Sequence, residues 1–197
     1  MLIVVACSAT LLLVTQGLQA FTAESARRVS VRKQPRPVPL DAALQTASGQ
    51  TITLDELAGR WLLVDFIYTR CTTYCAAQGG AFARLQDRMA RPIAQGQVAL
   101  LSISFDPLHD GPEQLAAYQA REKSRGDGWI AARPVRAADL DALMHAFGVT
   151  AIADEWGGYA HNAAIHVIDP QGRLVAILDW DASAQAEGML RRALPAS

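Results

Sequence analysis

The stretch Trp61-Leu-Leu-Val-Asp-Phe-Ile-Tyr-Thr-Arg-Cys71-Thr-Thr-Tyr-Cys75 decides the fold of this chain. Its first eight residues, Trp61–Tyr68, form a nearly continuous apolar run, which is typical of a strand that is buried on both faces of a sheet. Apolar residues then recur at helical spacing, which predicts a helix from about Thr73 to Ala90. The two cysteines therefore lie at the junction between a buried strand and a helix.

The same patterns continue on both sides of this junction. A hairpin is predicted over Ala43–Thr53, around Ser48-Gly49. Further strands are predicted at Val98–Phe105, Trp129–Val135, Ala163–Ile168 and Leu174–Leu178, and further helices from Pro112, over Ala137–Phe147 and over Ala182–Leu194. The resulting order, β-α-β-α-β-α-β-β-α with a closing hairpin, predicts an α/β sheet with one antiparallel edge. We expect a thioredoxin-like fold that carries an N-terminal hairpin, and that fold keeps its active site at the strand-to-helix junction occupied by the cysteines.

The spacing of Cys71 and Cys75 allows two chemistries. Residues four apart are neighbours on a helix, so the two sulfur atoms are expected on one face of its first turn. Two thiolates and one imidazole form a ligand set suited to copper, above all Cu(I), and His161 lies just before a predicted strand. The same thiols could instead cycle through a disulfide, because Cα atoms four apart on a helix lie within bridging range, roughly 6 Å.

Composition excludes several classes of protein. The chain has 197 residues, of which 51% are hydrophobic and 19% charged, as is ordinary for a globular domain. A formal net charge of −1 gives no reason to expect nucleic-acid binding. Three cysteines are too few for a disulfide scaffold, and one of them, Cys7, lies in the apolar N-terminus.

The N-terminus predicts attachment to a membrane. Residues 1–23 contain no charged side chain and are long enough to cross a bilayer, so we interpret them as a signal anchor or a signal peptide. Residues 24–39 are interpreted as a basic, proline-rich linker, with Gln34–Pro39 extended and the run Arg27–Arg36 solvated next to the membrane. The folded domain is expected at 40–197, on the periplasmic or another extracytoplasmic side.

Four features occur together in the chain. The first is Phe66-Ile-Tyr-Thr-Arg-Cys71-Thr-Thr-Tyr-Cys75. The second is Ser104-Phe-Asp-Pro107, followed by Asp110, Pro112, Leu115 and Tyr118. The third is Tyr159-Ala-His161, which leads into Ile168-Asp-Pro-Gln-Gly172, and the fourth is an apolar N-terminal segment followed by one domain. In this combination the chain resembles the Sco/SenC family, copper-binding proteins of thioredoxin-like fold that help to assemble the CuA centre of cytochrome c oxidase. The resemblance spans about Gln34 to Leu178.

The chain also departs from the pattern of that family. Thr72 and Ala76 follow the cysteines, where the family usually has proline. Ala160 replaces the aspartate that normally precedes the ligand histidine, and Asn162 replaces the serine that normally follows it. The chain is therefore interpreted as a divergent member, whose client protein could differ from CuA.

The resemblance implies a role for particular residues. Cys71, Cys75 and His161 would bind one copper ion per chain, and Cys71 and Cys75 would also form a redox-active disulfide. The loop that holds Asp106 and Asp110 would lie near the metal, so these aspartates could contact its ligands or a partner protein. His166 is interpreted as structural, because it alternates with Ile165 and Val167 and is expected to face away from the cysteines.

These observations leave three functions open. The first is a copper chaperone that delivers the metal to an acceptor such as a cytochrome c oxidase subunit, and that depends on an upstream copper donor or thiol reductant. The second is an enzyme, a thiol–disulfide oxidoreductase that reduces the cysteines of a copper acceptor. The third is a copper or redox sensor. The first two share the cysteines, so His161 is the residue that separates them.

Overall fold

The computed structural model describes Cys7, Thr15 and residues 22–71, 74–125 and 128–195, with the backbone alone at 74–76. Within these residues the main sheet has eight strands in the order β1-β10-β9-β4-β5-β6-β2-β3. The strands are β1 (Arg36–Pro37), β2 (Ala43–Thr46), β3 (Thr51–Thr53), β4 (Trp61–Ile67), β5 (Val98–Ser104), β6 (Trp129–Pro134), β9 (Ala164–Ile168) and β10 (Arg173–Asp179). Strands β4, β5 and β6 are parallel, whereas β9 and β2 join them antiparallel on either side.

Helices cover both faces of this sheet. They are α1 (Ala23–Lys33), α2 (Tyr74–Arg88), α3 (Ala90–Ala94), α4 (Pro112–Arg121), α5 (Ala137–Phe147) and α6 (Ser183–Ala193). Alternate residues of β4 point to opposite faces. Leu62, Val64 and Phe66 pack in one apolar cluster with residues of α1 and α5, while Leu63 and Ile67 pack in a second with residues of α2, α4 and α6. This layered α/β arrangement and its N-terminal β2–β3 hairpin confirm the predicted fold class.

The pairing of the strands brings three connecting segments together at the carboxyl end of β4. Strand β5 runs parallel to β4, with Ile67 opposite Ser104, so the residues that follow both strands emerge at the same edge. Strand β9 runs antiparallel to β4, with Val64 opposite His166, so the residues that precede β9 reach that edge as well. The turn before Cys71, the loop 105–111 and the segment up to Ala163 therefore converge beyond the carboxyl end of β4.

The N-terminal part of the domain differs from the predicted linker. Residues Ala23–Lys33 form helix α1, which begins with a reciprocal Thr22–Ser25 capping box. Val29 and Val31 of this helix are buried. Arg27 and Arg28, expected to be solvated, are largely buried and pair with Glu24, and Arg28 also pairs with Asp179 at 2.5 Å. Neutralising these charges within the fold allows a basic helix to pack against the sheet.

The segment before His161 has regular structure that lies outside the main sheet. Strands β7 (Ala151–Ala153) and β8 (Tyr159–His161) form a separate two-stranded hairpin in which Ala151 pairs with His161. The turn is ordered by the Asp154 carboxylate, which accepts hydrogen bonds from the backbone N–H groups of Trp156 and Gly158 at 2.9 and 2.7 Å. Gly157 adopts a φ of +78°, which favours glycine at this position.

The predicted membrane segment lies almost wholly outside the described residues, so it stays a prediction. Within the described part of the chain, no helix combines the length and the apolarity needed to cross a bilayer.

Candidate metal and redox site

The backbone turns sharply between the end of β4 and Cys71. The N–H of Cys71 donates to the Tyr68 carbonyl at 3.2 Å, which closes the turn. Cys71 is only 5% exposed and packs in the same cluster as Tyr68 and Phe105. The turn thus directs the first cysteine inward, towards an aromatic pocket, before the chain enters α2.

Asp110 fixes the turn from the neighbouring loop. Its carboxylate is fully buried and accepts three hydrogen bonds: from the Thr69 N–H at 2.9 Å, from the Thr69 hydroxyl at 2.6 Å and from the Ser104 hydroxyl at 2.6 Å. A buried carboxylate is stable only when its oxygens are satisfied in this way. Asp110 therefore positions the residues that lead to Cys71, while its predicted contact with a metal ligand or a partner protein stays a prediction.

Asp106 holds the next residue of the turn. Its carboxylate lies 2.8 Å from Nη2 of Arg70 and 2.7 Å from Nδ1 of His109. Burial alone would raise the pKa of Asp106, but the hydrogen bonds from His109 and Arg70 outweigh it and lower that pKa. Asp106 is thus ionised, and its ion pair with Arg70 holds the residue that directly precedes Cys71.

His161 lies on the other wall of the same pocket. A cavity of about 470 Å³ opens here and is lined by Tyr68, Cys71, Asp154, Tyr159, Ala160, His161, Ala163 and Trp180. The imidazole of His161 packs against the Phe105 ring at 5.1 Å and the Tyr68 ring at 6.4 Å between centroids. The structure therefore places Cys71 and His161, which are ninety residues apart in the sequence, in the lining of one cavity, and their shared role as metal ligands stays a prediction.

The imidazole of His161 has unused hydrogen-bonding capacity. Both ring nitrogens are buried, and neither has a hydrogen-bond partner among the side chains that the structure describes. Burial lowers the pKa of His161, so the neutral ring, which keeps a lone pair on one nitrogen, is favoured. A neutral imidazole with buried nitrogens, in the same cavity as a cysteine, is a suitable ligand for a soft metal ion such as copper.

Cys75 belongs to the first turn of α2, directly after this pocket. Its side chain lies outside the described residues, so the metal and disulfide roles predicted for it stay predictions. Among the side chains that are described, no three histidine, cysteine or carboxylate groups gather closely enough to hold a metal ion. The described lining of the pocket contains two of the three predicted ligands, Cys71 and His161.

The structure corrects the orientation expected for His166. Its ring contacts those of Phe66 and Phe147, which pack in the same cluster as Cys71, so His166 points to the same face of the sheet as the site. It lies deeper, opposite Val64, and its Nδ1 is 3.3 Å from the Val64 carbonyl oxygen. Burial lowers its pKa to about 3. His166 is therefore interpreted as structural because it is buried in the core, and not because it faces away from the cysteines.

Two residues that shape the pocket around the predicted ligands, Arg70 and Trp180, were not predicted from the sequence. Arg70 links Asp106 to the hairpin that carries His161, because its guanidinium lies 3.8 Å from the position that a Cβ on Gly157 would take. Trp180, directly after β10, forms another wall. The proximity of Arg70 to Cys71 in the chain was a usable signal, whereas Trp180 is brought in only by the pairing of β9 with β10.

Comparison with known proteins agrees with this geometry. The sequence profile described as SCO1/SenC matches residues 34–192, which is most of the chain. The chain belongs to the SCO1/SenC family. A curated relative, the SCO1 protein homolog of Bacillus subtilis (strain 168), is 24% identical over 133 residues, covering 66% of this chain and 68% of that protein. The low identity fits a divergent member.

Solved structures share the fold. The SCO1/SenC family lipoprotein of Bacillus anthracis str. Ames superposes with a TM-score of 0.71 at 21% identity, over 81% of this chain and 97% of that one. BsSco, a Sco-family cytochrome c oxidase assembly protein in which a disulfide switch was identified, gives 0.68 at 21%, over 81% and 95%. Bradyrhizobium japonicum ScoI with copper bound gives 0.64 at 22%, over 78% and 97%. These likenesses confirm the thioredoxin-like fold of this SCO1/SenC protein.

Proposed function

We propose that this SCO1/SenC protein is a copper chaperone. Cys71, Cys75 and His161 bind one copper ion, and the protein passes it to an acceptor such as a cytochrome c oxidase subunit. Family membership supports a copper-binding or redox role in the assembly of that enzyme. The lipoprotein relative supports attachment to the extracytoplasmic face of a membrane.

One observation carries the proposal. His161 places two buried ring nitrogens, neither of which has a described hydrogen-bond partner, on the wall of the cavity that also contains Cys71. A polar atom buried without a partner costs free energy, roughly 1–3 kcal/mol, unless another interaction offsets it. Copper coordination by one of the nitrogens supplies that interaction. A redox function alone would not require the histidine to be there.

The proposed ligand set also suits transfer of the metal. Two thiolates and one imidazole make a three-coordinate site, which Cu(I) accepts readily. Such a site lacks the fourth protein ligand of a closed structural zinc centre. A metal held by three ligands can be approached by a ligand from an acceptor protein, so the site binds copper and still permits its release.

A second candidate function is thiol–disulfide exchange with a copper acceptor. The disulfide switch identified in BsSco favours this possibility, as does the position of Cys75 at the N-terminus of α2, where the helix dipole favours a thiolate. In that reaction, a thiolate of this protein attacks an acceptor disulfide, one acceptor sulfur leaves as a thiolate, and the second cysteine then resolves the mixed disulfide. The acceptor is reduced and the Cys71–Cys75 pair is oxidised.

A substitution of His161 separates the two functions. In the full chain with reduced cysteines, His161→Ala should weaken Cu(I) binding by at least about tenfold, or roughly 1.4 kcal/mol, because one ligand is lost. The exposed histidine of α5 provides a matched control, since His145→Ala removes an imidazole without entering the site. Copper affinity is measured by competition with a chromophoric chelator, and exchange rates by reaction with a small dithiol.

Each outcome is informative. Weakened copper binding with unchanged exchange rates supports the chaperone. Parental copper affinity in His161→Ala would remove the ligand assignment and favour the redox function. Oxidation of the parent provides an independent test, because thiolates bind the metal and a disulfide does not. Stoichiometric copper retained by the fully oxidised protein would contradict the proposed site.

A further inference from the structure

Asn162 occupies a junction between three elements of the fold. Its Oδ1 accepts a hydrogen bond from the Thr150 N–H at 2.7 Å, at the start of the β7–β8 hairpin. Its Nδ2 donates to the Gly148 carbonyl at 3.0 Å, just beyond α5, and approaches Glu24 Oε2 of α1 at 3.4 Å. One side chain thus connects α1, the end of α5 and the strand that carries His161.

The partners of this amide fix which way it points. Oδ1 meets an N–H donor, whereas Nδ2 meets a carbonyl and a carboxylate, which are both acceptors. The opposite orientation would place donor against donor and acceptor against acceptor. The backbone of Asn162 adds a fourth link, because its N–H donates to the Thr150 carbonyl at 3.3 Å. Asn162 is therefore held in one conformation at the base of the hairpin.

The surrounding charges strengthen this junction. Glu24 accepts hydrogen bonds from Arg27 and Arg28, which outweigh its burial and lower its pKa, so it carries a negative charge beside the Asn162 amide. Arg27 in turn donates to the Phe147 carbonyl at the C-terminal end of α5. A cation at this position satisfies a carbonyl that the helix leaves unpaired. Helix α1 therefore contacts the same carbonyl end of α5 that Asn162 contacts.

His161 inherits its position from this arrangement. His161 pairs with Ala151 in the hairpin, next to the hydrogen-bonded pair Thr150 and Asn162. Its ring receives no hydrogen bond from the described side chains. Among the described residues, the rings of Tyr68 and Phe105 pack against the imidazole and orient it within the pocket. The backbone on either side must then determine where the ring nitrogens lie.

We propose that Asn162, supported by Glu24 of α1, is the positioning residue for His161, so that copper affinity depends on a helix at the N-terminal end of the domain. The inference rests on the proposed function, since His161 must be a copper ligand for its position to affect affinity. The proposal also assigns a function to Asn162, which stands where the family normally has a serine. It also connects α1 to the proposed metal site through a short path of hydrogen bonds.

The test uses the full chain and two readouts. Asn162→Ala should shift the ring NMR resonances of His161 in the reduced, metal-free protein and leave those of His145 unchanged. It should also weaken Cu(I) binding about tenfold. Glu24→Ala should act in the same direction by a smaller factor, about threefold, because its contact with Asn162 is longer. The control is Leu190→Ala, which opens a cavity on the far face of the sheet and destabilises the fold without touching this junction.

The outcomes separate this inference from the proposed function. If Leu190→Ala weakens copper binding as much as Asn162→Ala, the effect follows stability and the positioning role is refuted. If His161→Ala weakens binding while Asn162→Ala changes neither the His161 resonances nor the affinity, the positioning role is refuted and the ligand assignment remains. If His161→Ala leaves affinity unchanged, the proposed function itself fails.

Discussion

The two sides of the candidate site are held by different means. On one side, the cysteine segment, residues 68–71, is tied to the loop after β5 by the buried carboxylate of Asp110, which accepts three short hydrogen bonds. On the other side, the histidine segment, residues 159–162, is tied by the neutral amide of Asn162, which is only partly buried. Hydrogen bonds to a buried charge are roughly twice as strong as those between neutral groups.

Because of this difference, we expect changes in the two segments to affect different properties of the protein. Changes on the cysteine segment should affect the fold first, because they expose or unpair a buried charge. Changes on the histidine segment should affect the position of one ligand while leaving the core intact. A chaperone that must both bind and release its metal benefits from one rigid side and one adjustable side. The following predictions test that division, from the largest expected effect to the smallest.

The largest effect is expected at Asp65 of β4, three residues before the cysteine segment. This residue is fully buried, and neither carboxylate oxygen has a hydrogen-bond partner in the described part of the chain. Its pKa is raised from 3.8 to about 7, chiefly because burial disfavours the charged form. Glu122 contributes to this increase, and the nearby Ser102 hydroxyl opposes it. The folded state therefore favours the protonated form more than the unfolded state does. Stability should fall as pH rises from about 4 through about 7.

Replacing the carboxyl by an amide tests this directly. Asp65→Asn should match the parent at pH 4 and exceed it above pH 7, by up to about 4 kcal/mol in the free energy of unfolding, which is the size of the pKa change. Urea unfolding at several pH values measures the difference. Asp141→Asn, the same substitution at an exposed position of α5, is the control and should change the free energy of unfolding by less than about 0.5 kcal/mol. A stability gain that is equal at pH 4 and pH 8 would contradict the prediction.

The cysteine segment was also the part that the sequence predicted best. The apolar run of β4 and the helical spacing after it are local signals, and together they placed Cys71 and Cys75 at a strand-to-helix junction. Such periodic signals need no knowledge of the rest of the chain. The same holds for the β9–β10 hairpin, whose turn is set by Asp169-Pro-Gln-Gly172.

The surroundings of the histidine segment could not be predicted in this way. Strands β7 and β8 have three residues each and are partly exposed, so they show no burial pattern. Helix α1 has a low mean hydropathy and is held by ion pairs with Asp179 and within its own first turns. Only the fold reveals those partners. His166 illustrates the same limit, because alternation along a strand identifies its two faces without showing which face the cysteines occupy.

The second prediction concerns Asp110 itself. Asp110→Ala removes the acceptor of three hydrogen bonds and leaves the buried Thr69 and Ser104 hydroxyls without it. We expect a loss of about 3 kcal/mol in the free energy of unfolding, measured in urea at pH 7. Glu113→Ala, at an exposed position three residues later, should cost well under half as much. A similar loss for both variants would show that the cysteine segment is not held by this carboxylate.

The smallest effect is expected at Asp106, a buried carboxylate whose ion pair with Arg70 of the cysteine segment reaches solvent. Its partners Arg70 and His109 are about half exposed, and exposed ion pairs contribute only about 0.2–1 kcal/mol. The pKa of Asp106 is lowered in the folded state. The contribution of its ion pairs to stability is therefore present above the ordinary pKa of an aspartate and is lost as pH falls through the lowered pKa. Asp106→Asn should therefore lower the free energy of unfolding, measured in urea, by less than about 1 kcal/mol at pH 7. At pH 3 the loss should be smaller still. The Cu(I) affinity should change by no more than about threefold. A loss as large as that of Asp110→Ala would mean that the whole 105–110 loop, and not one buried carboxylate, fixes the cysteine segment. The contrast between a rigid cysteine side and an adjustable histidine side would then extend to the protein surface.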